Sequence, residues 1–320
     1  MKMKLMKTRL IRSLHHVTKS HQGGVVTIGN FDGVHLGHQH LVEKTVACAK
    51  AFSSPSMVIT FEPHPFEFFE GENLSIPRLT RFREKFCALS SYGIDYVLII
   101  EFNQEVASIS ASDFVKNILH DILHVQHVIV GDDFHFGYKR LGDFTLLKTM
   151  GKAYQFTVEA LLTVMLEGER ISSSRIRQAL LLGDQALAKR LLGHAYTLHG
   201  RIRLGDQLGR QLGFPTANIH LHRRLTPVKG IYTVYVHGLA DHPLPGVANV
   251  GTRPTVGGTR TLLEVHLLNF NEDIYGRYVQ VEFCEKLREE VRYPNLDLLK
   301  EQIAKDVADA HRYFQKQGVL

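Results

Sequence analysis

The stretch 25–41, V-V-T-I-G-N-F-D-G-V-H-L-G-H-Q-H-L, constrains this chain more than any other. Its apolar run Val25–Ile28 predicts a short buried strand. The run breaks at Gly29, and Gly33 and Gly37 follow at intervals of four. A helical pattern then runs from about His38 to Phe52. A strand, a glycine-spaced turn and a helix N-terminus together form an anion site. Glycine lets the backbone approach a phosphate, and the free N–H groups of the first helical turn point at it. His35 and His38 lie three apart and share a face if the turn is already helical. A Gly-x-x-x-Gly spacing alone serves to join a strand to a helix. Two histidines beside Asp32 in that setting point to function.

The rest of the first half repeats this alternation. Met57–Phe61 predicts a second buried strand, and the E-P-H-P that follows gives it a stiff, extended exit around His64. Residues 80–92 predict a helix and Tyr96–Ile100 a third strand. The segment from Ser110 has a serine cap and a helical apolar face at Phe114, Ile118 and Ile122. His127–Val130 predicts a fourth strand. Such a β-α-β-α-β-α-β order implies a parallel, doubly wound sheet, which binds ligands at its carboxyl edge. The loop after the fourth strand, V-G-D-D-F-H-F-G-Y-K-R-L-G-D, interleaves aromatics with charges. It suits stacking on a planar ring system. In R-I-S-S-S-R-I-R, residues 170–177, one serine is enough to cap the helix from Arg175 to Leu182. Three serines with Arg170, Arg175 and Arg177 suit a polyphosphate better.

After a short helix at 184–193 the apolar period falls from about 3.6 to 2, which places a domain boundary near residue 185. Strands are expected at Tyr196–Leu204, Gly230–His237, Gly246–Val250, Thr261–Phe270 and Tyr278–Phe283, separated by turn residues such as G-D at 205–206. They predict a closed antiparallel barrel. A last helix near Leu296–Gln317, with its stripe Leu299, Ile303, Val307, Ala310 and Phe314, should pack on it. The glycine-rich stretch 199–214 reads as a flap, with Arg201 and Arg210 at hand for phosphate. In F-P-T-A-N the Thr216 hydroxyl and the Asn218 amide share a face if extended, and such oxygens suit Mg²⁺. In T-L-L-E-V-H-L, Leu263, Val265 and Leu267 fall on one face and Leu262, Glu264 and His266 on the other.

Composition narrows the class. The 320 residues suffice for two cores, and no apolar run is long enough to span a membrane. The basic start, M-K-M-K-L-M-K-T-R, lacks the apolar region of a signal peptide. Three scattered cysteines, Cys48, Cys87 and Cys284, argue against a disulfide framework and fit a reducing cytoplasm. A net charge of +6 admits nucleic acid or small phosphate compounds equally, but no arginine–lysine block favours the former. Among the 19 histidines no cluster shows the spacing of a zinc site.

The string G-N-F-D-G-V-H-L-G-H-Q resembles the start of the prokaryotic bifunctional riboflavin kinase/FAD synthetase family. T-F-E-P-H-P, the aromatic loop, R-I-S-S-S-R-I-R, F-P-T-A-N and the glutamate strand resemble its later motifs, in the same order. The resemblance implies an N-terminal doubly wound parallel-sheet nucleotidyltransferase domain at 1–185. It implies a C-terminal antiparallel β-barrel riboflavin kinase domain with a terminal helix at 186–320. The implied reactions are phosphorylation of riboflavin to FMN by ATP, then transfer of AMP from ATP to FMN, giving FAD and pyrophosphate, both with Mg²⁺. His35 and His38 would act on the α-phosphate, with ATP contacts at Gly29, Phe31, Asp32 and Gly33, and with Ser173, Ser174 and Arg177 on the pyrophosphate. Ser174 stands where the family motif has Thr. Flavin contacts would come from His64, Asp133, Phe134, Arg140 and Arg288. In the barrel, Gly200, Arg201, Thr216 and Asn218 would hold ATP, the last two also Mg²⁺, and Glu264 would be the general base. Two other readings exist: a kinase with an inactive first domain, and an RNA-binding module that uses the basic surface.

Overall fold

The structure, a computed structural model, describes residues 8–205, 208–255 and 258–320. Met1–Lys7 of the basic N-terminal stretch, and Asp206 of the expected turn at 205–206, lie outside the described residues. Contacts divide the chain into two compact units. One is Thr80–Ser173 with the residues before Pro77; the other is Pro77–Leu79 with Ser174–Leu320. This division falls at Ser173/Ser174, so the two short helices Ser173–Leu181 and Gln185–Leu192 group with the barrel but for their first residue.

The first unit contains a parallel sheet of six strands: β1 (Arg9–Ile11), β2 (Val25–Ile28), β3 (Ser56–Glu62), β4 (Tyr96–Glu101), β5 (His127–Gly131) and β6 (Thr157–Leu161). Their order is β1-β4-β3-β2-β5-β6. β2 to β5 were legible as apolar runs, because both faces of a parallel sheet are covered and every residue of β2 is buried. The two edge strands were not expected. β1 has three residues, and β6 carries the polar Thr157 and Glu159 on a half-exposed edge. Between β2 and β3 runs α1 (Leu36–Ala51), between β3 and β4 come α2 (Pro65–Glu70) and α3 (Phe82–Ser91). The segment expected as a helix with the face Phe114, Ile118 and Ile122 forms one, but its turns are wider than α, a π-helix over Phe114–Ile122. The wider turn brings Val115 and Leu119 into the same buried face as Phe114 and Ile118. The chain goes from β2 outward through β3 and β4, then returns to the other side of β2 as β5. The carboxyl ends of β2 and β5 therefore flank the switch point, where open sheets of this kind bind ligands. A small hairpin, β7 (Met165–Leu166) with β8 (Glu169–Arg170), follows the sheet.

The second unit is a closed antiparallel barrel of β9 (Thr197–Arg203), β10 (Ala217–His220), β11 (Gly230–His237), β12 (Leu244–Thr255), β13 (Gly258–Leu267) and β14 (Tyr278–Arg288), in the order β10-β13-β12-β11-β14-β9. β10 was not expected, since it has four residues and follows directly on a proline motif. The period of two sorts each strand into an inner and an outer face. Ile202, Ile219, Val250, Leu263 and Val265 are buried inside. Part of the outer face is roofed by the terminal helix, Leu296–Lys316, whose Ala310 and Phe314 pack with Ile231, Val247 and Leu268. That roof explains why β11 is buried on both faces over Gly230–Val234. Of the expected stripe, Val307, Ala310 and Phe314 join this cluster, while Leu299 and Ile303 stay half-buried. Asp306 is buried and takes both Arg288 donors, Nε at 2.8 Å and Nη2 at 2.6 Å, a two-point clamp of helix to strand.

Phe314→Ala is expected to destabilise the barrel by about 3–5 kcal/mol, whereas Phe69→Ala, at an exposed ring, should cost about 0.5 kcal/mol or less. Denaturant unfolding of the two variants checks the difference.

Candidate active sites

The turn after β2 is held from below. Gly29 N–H donates to Ile59 O. The buried Asp32 accepts from Thr80 N at 2.9 Å and from Thr80 Oγ1 at 3.2 Å, and Thr80 Oγ1 accepts from Gly33 N. Ser173 Oγ donates to Asp32 O at 2.8 Å. Lys85, wholly buried on α3, donates from Nζ to Asn30 O at 2.8 Å and to Thr60 Oγ1 at 3.1 Å. Phe31 is fully buried with its ring against Gly29. Of the expected ATP contacts, then, Asp32 and Phe31 shape the loop, and the backbone of Gly29 and Gly33 is tied to its neighbours.

His35 is the N-cap of α1. Its Nδ1 accepts from His38 N at 3.4 Å, a task that hydroxyl or carboxyl side chains usually perform. The bond assigns the His35 proton to Nε2. Gly37 permits this fold-back, since a Cβ there would lie 3.3 Å from the His35 ring. The rings of His35 and His38 stack with centroids 3.6 Å apart and planes 17° apart, and Phe31 lies 5.1 Å from His38. Burial above all, and then the charges of His35, Lys85 and Arg170, hold the His38 pKa well below its ordinary value of 6.5. His38 is therefore a neutral imidazole at neutral pH. Its Nδ1 is shut away from solvent with no hydrogen-bond partner among the described residues. No acidic residue stands in the first turn of α1. A helix N-terminus with no acidic residue in its first turn, a neutral His38 ring and the nearby Lys85 and Arg170 leave the place suited to an anion.

Sequence reasoning missed Lys85, Thr80 and Thr60 here. Lys85 sits in R-E-K-F, which carries no mark that separates it from a solvated helix face. The other expected residues of the unit have local partners of their own. His64 is buried as the N-cap of α2, its Nδ1 accepting from Phe66 N and its own N–H donating to Glu67 Oε2. In the loop after β5, Phe134 stacks on Phe136 at 5.3 Å, and Asp133 is ion-paired with Arg170. Arg140 is exposed in the turn Tyr138–Arg140. A trio not foreseen, Cys48, His127 and Glu159, brings its ligand atoms within 4.8 Å of one another. Lys44 already binds Glu159 there, at 2.9 Å, so the carboxylate has a cation.

In the second unit, Arg177 donates from Nε to Pro77 O at 2.7 Å, and Ser174 lies in the first turn of the helix that Ser173 begins. The barrel's candidate residues lie on the outer face, bordering the part that the terminal helix covers. Register pairs Asn218 of β10 with Glu264 of β13. Directly paired side chains on one face stand about 5 Å apart. Thr216 precedes β10 by one residue, and its segment is fastened by His266 Nδ1, 2.8 Å from Pro215 O, with Phe214 edge-on to the His266 ring. Gly205 and Gly209 explain part of the glycine-rich flap. A Cβ at Gly209 would lie 3.1 Å from Thr216 Oγ1, and one at Gly205 within 2.7 Å of three atoms of the Asn218 amide. The backbone thus forms a cradle around these two oxygens, which fits a small hard cation. Gly200 is buried in β9, and Arg201 donates from Nη1 to Gly276 O at 2.6 Å. Arg288 is committed to Asp306.

Both arrangements suit an enzyme that handles phosphate-containing groups. The FAD synthetase family model matches residues 17–175, and the riboflavin kinase model matches 192–314. The bifunctional riboflavin kinase/FMN adenylyltransferase of Escherichia coli (strain K12) is 48% identical, over 96% of this chain and 98% of its own. That of Haemophilus influenzae is 45% identical, over 96% and 99%. A crystal structure of a macrolide-efflux protein from Streptococcus pneumoniae superimposes with a TM-score of 0.80 at 28% identity, covering 95% of this chain and 98% of that one. The chain belongs to the bifunctional riboflavin kinase/FMN adenylyltransferase family, and it carries both parts.

Lowering pH should expose the state of His38. Its proton is held more weakly in the folded chain than in the unfolded one, so stability is full above about pH 6.5 and falls below it, by up to about 1.4 kcal/mol per pH unit. Urea unfolding at pH 7.5, 6.5 and 5.5 should show His38→Asn losing less stability on acidification than the parent; equal losses would contradict a neutral, desolvated His38.

Proposed function

We propose that residues 1–185 carry the adenylyl transfer and 186–320 the riboflavin phosphorylation, each with its own site. The observation that carries this reading is the separation of the reacting groups. The His35–His38 stack belongs to one compact unit and the Asn218–Glu264 pair to the other.

In phosphorylation, the Glu264 carboxylate takes the proton of riboflavin's terminal ribityl hydroxyl. The hydroxyl oxygen bonds to the γ-phosphorus of ATP while the bond to the ADP oxygen breaks. Thr216 and Asn218 would hold Mg²⁺, which would supply charge neutralisation for the phosphates. Gly200 and Arg201 flank the ATP. In adenylyl transfer, an FMN phosphate oxygen attacks the α-phosphorus and pyrophosphate leaves. His35 donates from Nε2–H to the α-phosphate, and His38 lies stacked beside it as a neutral ring. Ser173, Ser174 and Arg177 take the pyrophosphate. No covalent enzyme intermediate is needed, and positioning with charge stabilisation does the work. His64, Asp133, Phe134 and Arg140 are proposed for FMN, and Arg288, through its Asp306 clamp, for the flavin side of the kinase. Free thiols at Cys48, Cys87 and Cys284 support a cytoplasmic setting.

The name of the streptococcal protein invites a transport reading. Among the described residues no helix is long and apolar enough to cross a membrane, and the groups gathered here handle phosphates.

His38→Ala is expected to lower FAD formation by about 10²–10³-fold while FMN formation persists. Glu264→Ala should cripple FMN formation and spare FAD formation from supplied FMN. Chromatography of riboflavin, FMN and FAD over time reads both; one substitution that stopped both reactions in a folded protein would contradict two independent sites. Asn218→Ala should raise the Mg²⁺ needed for half-maximal FMN formation about tenfold, with the requirement of adenylyl transfer unchanged.

A further inference from the structure

Glu264 has a paired neighbour on each side. β10 offers Asn218, and β12 offers Asn249. Inward-facing Ala248 and Val250, both buried, flank Asn249, so its side chain lies on the outer face with Glu264. The row across the barrel is Asn218, Glu264, Asn249, Ile231, Arg288. Asn249 Oδ1 is shielded from solvent and has no hydrogen-bond partner among the described residues. An unpaired buried amide oxygen is costly, and folded proteins rarely keep one.

The surroundings of Asn249 explain why nothing answers it. Along β12, Val247 on the same face is covered by Ala310 and Phe314 of the terminal helix. On the other side is Gly251, where a Cβ would meet Glu290 Oε1 at 2.4 Å, so the Glu290 carboxylate lies over that backbone. Laterally stand apolar Ile231 and the carboxylate Glu264. Carboxylates and alkyl groups donate no hydrogen bond, so the missing partner brings its own proton. Buried atoms without partners also occur at Ser54 and Gln185, so an orphan alone marks nothing. What distinguishes Asn249 is its place one strand from the base, opposite the cation side.

We propose that Asn249 reads the polyol of the flavin: its amide oxygen accepts a hydrogen bond from the ribityl hydroxyl adjacent to the one that Glu264 deprotonates. This rests on the reading of Glu264 given above. The row then has a direction, with cation and phosphates at Asn218, proton transfer at Glu264 and the ribityl chain running over Asn249 towards the Arg288 side. A substrate with a single hydroxyl at the reacting carbon leaves Oδ1 unpaired and binds worse.

Steady-state kinetics of FMN formation test it, with riboflavin and 4′-deoxyriboflavin as substrates for the parent, Asn249→Leu and Asn249→Ser. The parent should use the deoxy compound about 10- to 100-fold less well in kcat/KM. Asn249→Leu should raise KM for riboflavin about tenfold, leave KM for ATP in place and lose the discrimination. Asn249→Ser, which keeps an acceptor and demands little of the fold, should retain part of it. A parent indifferent to the missing hydroxyl overturns the proposal, as does an Asn249→Leu enzyme that discriminates like the parent or shifts the ATP or Mg²⁺ requirement instead. Glu264→Gln, assayed alongside, separates the two levels. If it keeps its kcat the reading of the base fails, whatever Asn249 does.

Discussion

An imidazole in place of a hydroxyl at the N-cap of α1 governs the first unit. A serine there would satisfy one helix N–H and stop. His35 satisfies the same N–H with Nδ1 and so fixes its remaining proton on Nε2. The stack with His38 then makes the charge of each ring the other's concern, and burial beside Lys85 and Arg170 keeps His38 neutral. A neutral His38 brings no charge of its own to the loop. The positive field comes from Lys85, Arg170 and the helix terminus, whose dipole costs no side-chain ordering. The ties of Asp32 to Thr80 and of Lys85 to Asn30 serve this end, since the cap forms only if the turn from Gly29 to Val34 is held in one shape.

The barrel solves a different problem. Its inner face is filled, so chemistry can only be placed outside, on a surface that water reaches. The terminal helix divides that surface. Where it packs, Ile231, Val247 and Leu268 are core residues in all but position. Where it does not, Asn218, Glu264 and Asn249 stand in register. Asn249 lies on the border of the two regions, which is why its amide oxygen is shielded yet adjacent to an ionisable group. The Arg288–Asp306 clamp fixes this border, because it sets where the helix stops covering the sheet.

The repeating parts were legible because they obey a simple period. Apolar runs gave β2 to β5, alternation gave β13 with Glu264 on its half-wet face, and helical stripes gave α1 and most of the terminal helix. The failures have physical reasons. β1 and β10 are too short to show a period, and the π-helix differs from an α-helix by a slightly larger turn that the same apolar residues serve equally well. Motif strings marked where candidate groups lie but not which of them touch. Nothing in F-P-T-A-N or in T-L-L-E-V tells that Asn218 pairs with Glu264, because register is a long-range property. Asn249 was invisible for the same reason, its significance lying entirely in its neighbour. Asp32 and Arg288 show the converse, residues legible by motif whose visible bonds in the structure are to Thr80 and Asp306.

Both candidate sites keep a polar atom without a partner among the described residues, Nδ1 of His38 and Oδ1 of Asn249. Each costs the folded chain about 1–3 kcal/mol that an apolar replacement of the same shape would avoid. A fold optimised for stability alone would not hold them. The surrounding structure carries that cost through elements that do not move: a helix end tied to three neighbouring segments and a closed barrel with no free edge. Because the empty acceptor or donor position is held in place beforehand, a substrate group that fills it meets little ordering cost and removes the penalty at once. The same rigidity that makes the unpaired atom tolerable makes it selective, since a ligand lacking the matching proton leaves the whole cost in place.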